Sequence, residues 1–586
     1  MRYLALATDY DGTLAHHGRL SSEAIEALER LIASGRKVLM VTGRELQDLQ
    51  RVCPRLDLFA CVVAENGALL YWPDTRLEEP LAPPADAAFV AKLRAHDVSP
   101  LSVGRVIVAT REPHETVVLE TIRECGLELQ VIFNKGAVMV LPAGVNKATG
   151  LAQALAQLGL SPRNVVGIGD AENDHAFLAS CECGVAVSNA LPTLKEAADI
   201  VTAADHGAGV VELVDALLAD DLANADARLA RHHLLLGTDA EGAEVRIPPY
   251  GANVLLVGTS GSGKSTLATA LIERLAENEY TYCVIDPEGD YESLPGAVAL
   301  GSADRAASPG EILQLLGRPG ESAIVNLLAL PLADRPAYFA QLLPRITELR
   351  SRIGRPHWIV IDEAHHMLPA EWQRGGASEP DRLRGALQIT VHPSLVAARN
   401  LADVDTVIAV GDEPGRMFAE FAEAVGEAAP STDPQPLGKG EALVWFREGS
   451  PRIIRMRIAP GKREHRRHTR KYAEGELGPD RSFYFRGPQG KLNLRAQNLI
   501  LFLQLADGVD DDTWLHHLRA GDYSRWIRDK VKDEALAERV DEIERAHDRD
   551  PLESRRRMRE AIEQTYTLPA TAPHREATPR AGRSSR

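Results

Sequence analysis

Short apolar, β-branched runs closed by polar turns recur along the chain: Leu4 to Thr8, Val38 to Val41, Val165 to Ile168, Asn253 to Val257 and Trp358 to Ile361. Their length and flanks predict buried strands. Between them, Ala148 to Leu158 and Ser265 to Ala276 carry helical periodicity, so the expected class is multidomain α/β. From about Trp72 to Asn146 the pattern changes to short β-like runs, Val103 to Ala109 and Gln130 to Phe133, with prolines clustered at Pro80 to Pro84, which predicts an inserted α/β domain. Asn493 to Leu505 and Thr513 to Ala546 are helical in period, with Trp514 and Trp526 as anchors, and predict a small helical domain. A charged helix is expected at Asp550 to Gln564. The Pro-, Thr-, Ser- and Arg-rich end from Leu568 to Arg586 has the composition of a disordered tail.

A chain of 586 residues exceeds one hydrophobic core, and 45% hydrophobic with 25% charged residues is the composition of a globular protein. With no apolar stretch long enough to span a bilayer, the expectation is a cytoplasmic protein without a membrane partner. Six cysteines, including Cys181 and Cys183, form neither a disulfide framework nor a zinc pattern. A formal net charge of −17 argues against nucleic-acid binding by the whole surface, although Gly461 to Lys471 is locally basic and reads as a linker or a phosphate-facing segment.

The candidate chemistry begins where the first strand ends, at Asp9-Tyr10-Asp11-Gly12-Thr13. Two carboxylates one residue apart in extended chain project the same way, so one can attack phosphorus while the other exchanges a proton with the leaving oxygen. Thr42-Gly43-Arg44 closes the second strand and offers a hydroxyl to a phosphate oxygen. Lys147 opens a helix with an ammonium to offset phosphoryl charge. The loop from Gly169 and Asp170 to Asn173 and Asp174 suits Mg²⁺.

In these four motifs, in this order, and in Ala64-Glu65-Asn66-Gly67-Ala68 and Gly184 to Ala190, residues 1–220 resemble haloacid dehalogenase superfamily phosphatases of the Cof-like, type IIB-capped branch. The resemblance implies a Rossmann-like core with an α/β cap at about 72–146. It makes Asp9 the nucleophile, Asp11 the general acid and base, and Thr42 and Lys147 the phosphoryl ligands. It assigns Mg²⁺ to Asp9, Asp170 and the backbone carbonyl of Asp11, with Asn173 and Asp174 supporting the loop. A phosphorylated small molecule is the implied substrate. Asn134 and Lys135 in the cap read either as substrate contacts or as an exposed turn, and His16, His17 and His175 read as polar surface.

The second strand, loop and helix order is a P-loop: Gly258, Thr259, Ser260, Gly261, Ser262, Gly263, Lys264, Ser265 and Thr266. Its backbone amides suit ATP phosphates, Lys264 the β and γ phosphates, and Ser265 a second Mg²⁺. Asp362 and Glu363 end a further strand and supply a metal-side Asp and a water-activating Glu, which favours hydrolysis over kinase chemistry. With Ile285 to Tyr291 and Ile361 to His365, these residues resemble the additional-strand P-loop ATPases of the HerA and FtsK group over about 231–461. In that group His392 stands where a γ-phosphate-sensing Gln is usual, and hexamers are common, with Arg399 or Arg416 as candidate donors to a neighbouring subunit. A basic linker is expected at 462–480, a helical domain at 481–567 and a tail at 568–586. The favoured reading is a bifunctional Mg²⁺-dependent phosphatase and ATPase. The alternatives are a DNA motor or DNA-end-processing protein, with DNA as partner, and a nucleotide-gated interaction protein.

Overall fold

The computed structural model describes residues 1–259, 262–292, 294, 296–370, 383–432, 435–449, 451–462, 482–531, 533–546 and 550–566. Ser260 and Gly261 of the P-loop, most of the expected basic linker and the expected tail lie outside the described residues. The chain forms two compact units, Met1–Lys462 and Arg463–Arg586.

Along the first unit, β1 (Ala5–Thr8), β2 (Lys37–Val41), β3 (Cys61–Ala64), β4 (Leu69–Trp72) and β5 (Leu77–Pro80) precede the inserted strands β6 (Ser102–Val103), β7 (Val108–Arg111), β8 (Leu129–Asn134) and β9 (Ala137–Pro142). The chain then returns as β10 (Val165–Gly169), β11 (Cys183–Ala186) and β12 (Ile200–Val201). The core sheet has the order β12-β11-β10-β1-β2-β3-β4-β5, parallel from β12 to β3 and antiparallel beyond. The central runs are buried on both faces, which is why they read as continuous apolar segments.

The insert forms a sheet of order β6-β7-β9-β8. Alternation along β9 sends Val138 and Val140 into a cluster with Phe89, Leu93, Val118 and Ile122 from the two insert helices. Met139 and Leu141 join a second cluster that includes Ala68 of the core. The single strand expected over Val103 to Ala109 is two short strands, because Arg105, Val106 and Ile107 turn their N–H groups toward the side chain of Glu65 instead of a neighbouring strand.

The second sheet is built from β13 (Leu234–Thr238), β14 (Glu244–Ile247), β15 (Asn253–Gly258), β16 (Tyr282–Asp286), β17 (Ala297–Leu300), β18 (Ser322–Asn326), β19 (Trp358–Ile361), β20 (Ala386–Thr390), β21 (Thr406–Val410), β22 (Glu441–Phe446) and β23 (Arg452–Ile458). Its order is β14-β13-β23-β22-β21-β15-β20-β19-β16-β18-β17. Leu255 and Val257 face one core and Val254 and Leu256 the other, so this sheet too is covered on both faces. Strand β20 stands between β15 and β19 and pairs in parallel with both.

The two sheets of this unit meet through the residues that precede their strands. Glu182, 3% exposed and just before β11, accepts hydrogen bonds from Arg2 Nη2 at 2.7 Å and from Tyr280 Oη at 2.6 Å, Tyr280 lying just before β16. Arg163 reaches Glu279 at 3.1 Å. Arg355, ahead of β19, donates to the carbonyl of Gly159 at 2.9 Å. The buried seam therefore lies at the amino ends of strands whose carboxyl ends carry the candidate chemistry.

In the second unit, β24 (Phe483–Phe485) and β25 (Leu494–Ala496) form a hairpin followed by helices, with Trp514, Tyr523 and Trp526 buried in its core as expected for the tryptophans. The helix expected from Asn493 instead begins at Leu499: Asn498 caps it by accepting from the Leu501 amide at 2.7 Å, and Leu494–Ala496 pairs as a strand. Helical periodicity over so short an apolar run does not separate the two conformations. His517 accepts from the Arg486 amide at 3.1 Å and lies 2.8 Å from Asp522, which ties its helix to the hairpin.

Candidate functional site

Each carboxylate of the first site leaves the carboxyl end of a parallel strand, the edge where α/β sheets leave backbone and side chains free to act. Asp9 follows β1, Thr42 follows β2 and Asp170 follows β10. Lys147 is the first residue of the helix Lys147–Leu158, which a reciprocal capping box between Asn146 and Thr149 starts at that point. Its ammonium, 1% exposed, lies 2.5 Å from Asp9 Oδ1 and 2.6 Å from Asp174 Oδ1. Burial alone would lower the Lys147 pKa, but Asp174 and Asp9 outweigh it and the group stays charged.

Burial pushes the Asp9 carboxyl up to about 8, with Asp174 and Asp170 adding to the rise and Lys147 opposing it. Carboxylate oxygens of Asp9, Asp170 and Asp174 all lie within 4.8 Å of one another. Asp174 is committed to protein partners: Oδ2 accepts the amides of Asp170 and Ala171 at 2.8 and 2.9 Å, while Oδ1 takes Lys147. Asp9 and Asp170 offer hard carboxylate oxygens, shared here with Lys147, Lys135 and Thr13, and as a donor set they fit a divalent cation such as Mg²⁺. Asn173 donates to Asn66 Oδ1 at 2.9 Å and ties this loop to the one after β3.

Two cations complete the geometry, Arg44, which the sequence reading left without a role, and Lys135, which it read as a substrate contact or an exposed turn. Arg44 grips Asp11 with both arms, Nε to Oδ2 at 2.5 Å and Nη2 to Oδ1 at 2.7 Å, and also reaches Asp48. Lys135, at the tip of the β8–β9 hairpin, places its ammonium 2.5 Å from Asp170 Oδ2. Of the two readings of Asn134-Lys135, the structure has a turn whose lysine reaches the carboxylates. Gly12 is required where they meet: at φ +86° its place admits no side chain, since a Cβ would lie 2.2 Å from Asp170 Oδ2 and 2.8 Å from Lys135 Nζ. His16 and His17 stack on each other at 4.1 Å between ring centroids, on the surface as expected.

At the second edge, Gly263 at φ +95° leads into the helix Lys264–Glu277. Lys264 Nζ donates to the carbonyls of Gly258 and Thr259 at 2.8 and 2.9 Å, so the lysine lies folded back along its own loop. Burial lowers its pKa against the pull of Glu363 and Asp362. Asp362 is buried after β19 and Glu363 takes a left-handed backbone, φ +45°. Asp286, ending β16, accepts the amides of Glu288, Gly289, Asp290 and Tyr291 at 2.8 to 3.2 Å and shapes the acidic turn.

The sensor candidate His392 follows the end of β20. The His392 side chain is exposed, and the buried polar group at the end of β20 is Thr390. Its hydroxyl lies 3.0 Å from His365 Nδ1 and accepts the His392 amide at 3.1 Å. Burial, with His366 and His392 nearby, pushes His365 down to about 4, so its ring is neutral at physiological pH. The signal in the sequence was the histidine two residues after Glu363. Arg416 is engaged by Glu413 and Glu420 at 3.0 Å each.

Compared with known proteins, residues 6–98 and 92–214 match the haloacid dehalogenase-like hydrolase family, and residues 250–385 match an AAA domain. A phosphoglycolate phosphatase of Methanothermobacter thermautotrophicus is 35% identical over 217 residues, 36% of this chain and 96% of the relative. Phosphoglycolate phosphatase 2 of Saccharolobus solfataricus is 30% identical over 221 residues, 37% of this chain and 93% of the relative. Among solved structures, a haloacid dehalogenase-like hydrolase from Bacteroides thetaiotaomicron matches 37% of this chain and 99% of its own, with 19% identity and a TM-score of 0.33.

Proposed function

The chain belongs, through residues 6–98 and 92–214, to the haloacid dehalogenase-like hydrolases and carries a P-loop ATPase-type domain at residues 250–385, and from that premise we propose that it is a bifunctional Mg²⁺-dependent phosphomonoesterase and ATPase. The observation that carries the reading is the convergence of Asp9, Asp11, Thr42, Lys147 and Asp170 at one sheet edge, with Lys147 bridging the nucleophile and the acidic loop.

Asp9 attacks the phosphorus atom, the ester P–O bond breaks, and Asp11 gives its proton to the leaving oxygen. Water then attacks the aspartyl-phosphate as Asp11 takes up the proton, which returns Asp9 and releases inorganic phosphate. Both oxygens of Asp11 accept from Arg44 in this structure, so Asp11 leaves that contact to carry the proton. Thr42 and Lys147 hold the phosphoryl oxygens. Asp9, Asp170 and the carbonyl of Asp11 would hold Mg²⁺, which would supply positive charge to the phosphoryl group.

For substrate, the reading is a short phosphomonoester carrying a carboxylate. Support comes from Lys135, whose ammonium already pairs with a carboxylate over the site, and from the two relatives named phosphoglycolate phosphatases. The test is Mg²⁺-dependent phosphate release from phosphoglycolate, sugar phosphates and p-nitrophenyl phosphate. Lys135→Ala is expected to lower kcat/KM on phosphoglycolate by about 10- to 100-fold, the scale of one charge-assisted hydrogen bond, and to affect the aryl ester several-fold less. Faster turnover of sugar phosphates, with Lys135→Ala affecting all substrates equally, would defeat the carboxylate reading.

At the second site, Lys264 would meet the β and γ phosphates, Ser265 and Asp362 would hold Mg²⁺, and Glu363 would activate water. Strand β20 between β15 and β19 supports the additional-strand class of P-loop ATPases. Lys264→Ala is expected to lower ATP turnover, measured as ADP release, by about 10²- to 10³-fold. Phosphate release at Asp9 is expected to continue in that variant, because both sites lie at strand ends remote from the seam.

A further inference from the structure

Glu65 is a buried carboxylate that the phosphatase mechanism does not use. It follows β3, is 1% exposed, and holds a left-handed backbone at φ +51°, as does Asn66 at φ +54°. A left-handed glutamate is uncommon and persists where surrounding contacts enforce it. On one side its backbone is tied to the phosphoryl loop: the Glu65 amide donates to Arg44 O at 2.9 Å and the Asn66 amide to Thr42 O at 3.0 Å. On the other side its carboxylate collects three successive cap amides, Arg105 at 2.8 Å on Oε1, with Val106 at 2.8 Å and Ile107 at 3.0 Å on Oε2.

The cap is shaped to receive it. A Cβ at position 104 would lie 2.6 to 2.8 Å from the Glu65 carboxylate, so Gly104 leaves room for the contact. Immediately after the clamped peptides, β7 pairs with β9, Val108 opposite Val140 and Ala109 opposite Met139. Strand β9 in turn forms the hairpin whose tip carries Lys135. The covalent and hydrogen-bonded path from Glu65 to Lys135 thus runs through one four-stranded sheet.

We propose that Glu65 is a positioning residue for phosphomonoester hydrolysis, a carboxylate clamp that fixes the cap backbone at Arg105–Ile107 to the Thr42–Arg44 loop and so holds Lys135 against Asp170. The inference rests on the substrate reading above for what Lys135 meets, while the clamp stands on the geometry alone. A carboxylate has the lone pairs to accept three N–H groups; the amide of glutamine would turn an NH₂ toward at least one of them.

The test is Glu65→Gln in the full chain, read by hydrogen exchange and kinetics. Exchange at the amides of Arg105, Val106 and Ile107 is expected to accelerate at least tenfold relative to wild type, with the β15 and β19 amides unchanged. On phosphoglycolate, kcat/KM is expected to fall by about 10- to 100-fold, the scale on which a misplaced site residue reads. In a Lys135→Ala background the same change is expected to cost less than about threefold, because the clamp acts through Lys135. Gly104→Ala, which presses a methyl group against the carboxylate without removing its charge, is the second variant and is expected to reproduce both effects. Unchanged exchange at 105–107 in both variants would overturn the clamp. Accelerated exchange with fully additive kinetic losses would overturn its positioning role. If wild type releases no phosphate in an Asp9-dependent manner, the substrate reading fails, and the exchange result still decides the clamp.

Discussion

Asp9→Asn is expected to reduce phosphate release from phosphomonoesters by about 10⁴-fold or more, the scale on which losing a covalent nucleophile reads. Asparagine preserves the shape of the side chain, and Lys147 keeps its second partner at Asp174, so the loss is chemical and the sheet should remain intact. The same variant tests cation binding. Burial and neighbouring carboxylates raise Asp9 to about 8, so Mg²⁺ competes there with a proton. Affinity should therefore rise with pH by up to about tenfold per pH unit and level off above pH 8. Titration calorimetry in two buffers of different ionisation enthalpy should detect proton release in wild type and its loss in Asp9→Asn. A residual rate near that of wild type would remove Asp9 from the chemistry; binding with no proton release would place the cation away from it.

The carboxylates of the first site were legible for a physical reason. A parallel strand buried on both faces carries no charge along its length, so its end is marked by the first charged residue, as at Asp9 after Thr8 and Asp170 after Gly169. The P-loop was legible because glycines and a lysine at fixed spacing are needed to approach phosphate through backbone. Arg44 was quoted in its motif without a role, since its grip on Asp11 depends on side-chain reach across a loop. Lys135 was ambiguous because 35 residues separate it from Asp170, and only docking of the cap brings them together. Glu65 likewise stood inside a recognised phrase, but its partners are three backbone amides, which carry no sequence signal at all. The interruption of the expected strand at Val103 to Ala109 has the same origin: the competing acceptor lies in another domain.

Glu182→Ala is expected to destabilise the first unit by about 3 to 5 kcal/mol, the cost of leaving a buried ion pair without one partner. The carboxylate meets Arg2, itself 5% exposed, and the Tyr280 hydroxyl, and Arg163 lies 3.8 Å away. Removing it takes from Arg2 its carboxylate at 2.7 Å and from the Tyr280 phenol its acceptor, while Arg163 keeps Glu279. Tyr280→Phe, which deletes one neutral donor, should cost about 1 kcal/mol. Because Glu182 precedes β11 of one sheet and Tyr280 precedes β16 of the other, the seam supports both sheets at their amino ends. Urea titrations followed by phosphatase and by ATPase activity should therefore show both midpoints falling together in Glu182→Ala. A shift confined to the phosphatase would mean that Glu182 stabilises only its own sheet. A joint shift with unchanged rates in native buffer would mean that the two activities share a foundation without sharing a mechanism, as expected when catalytic groups sit at the strand ends farthest from the contact.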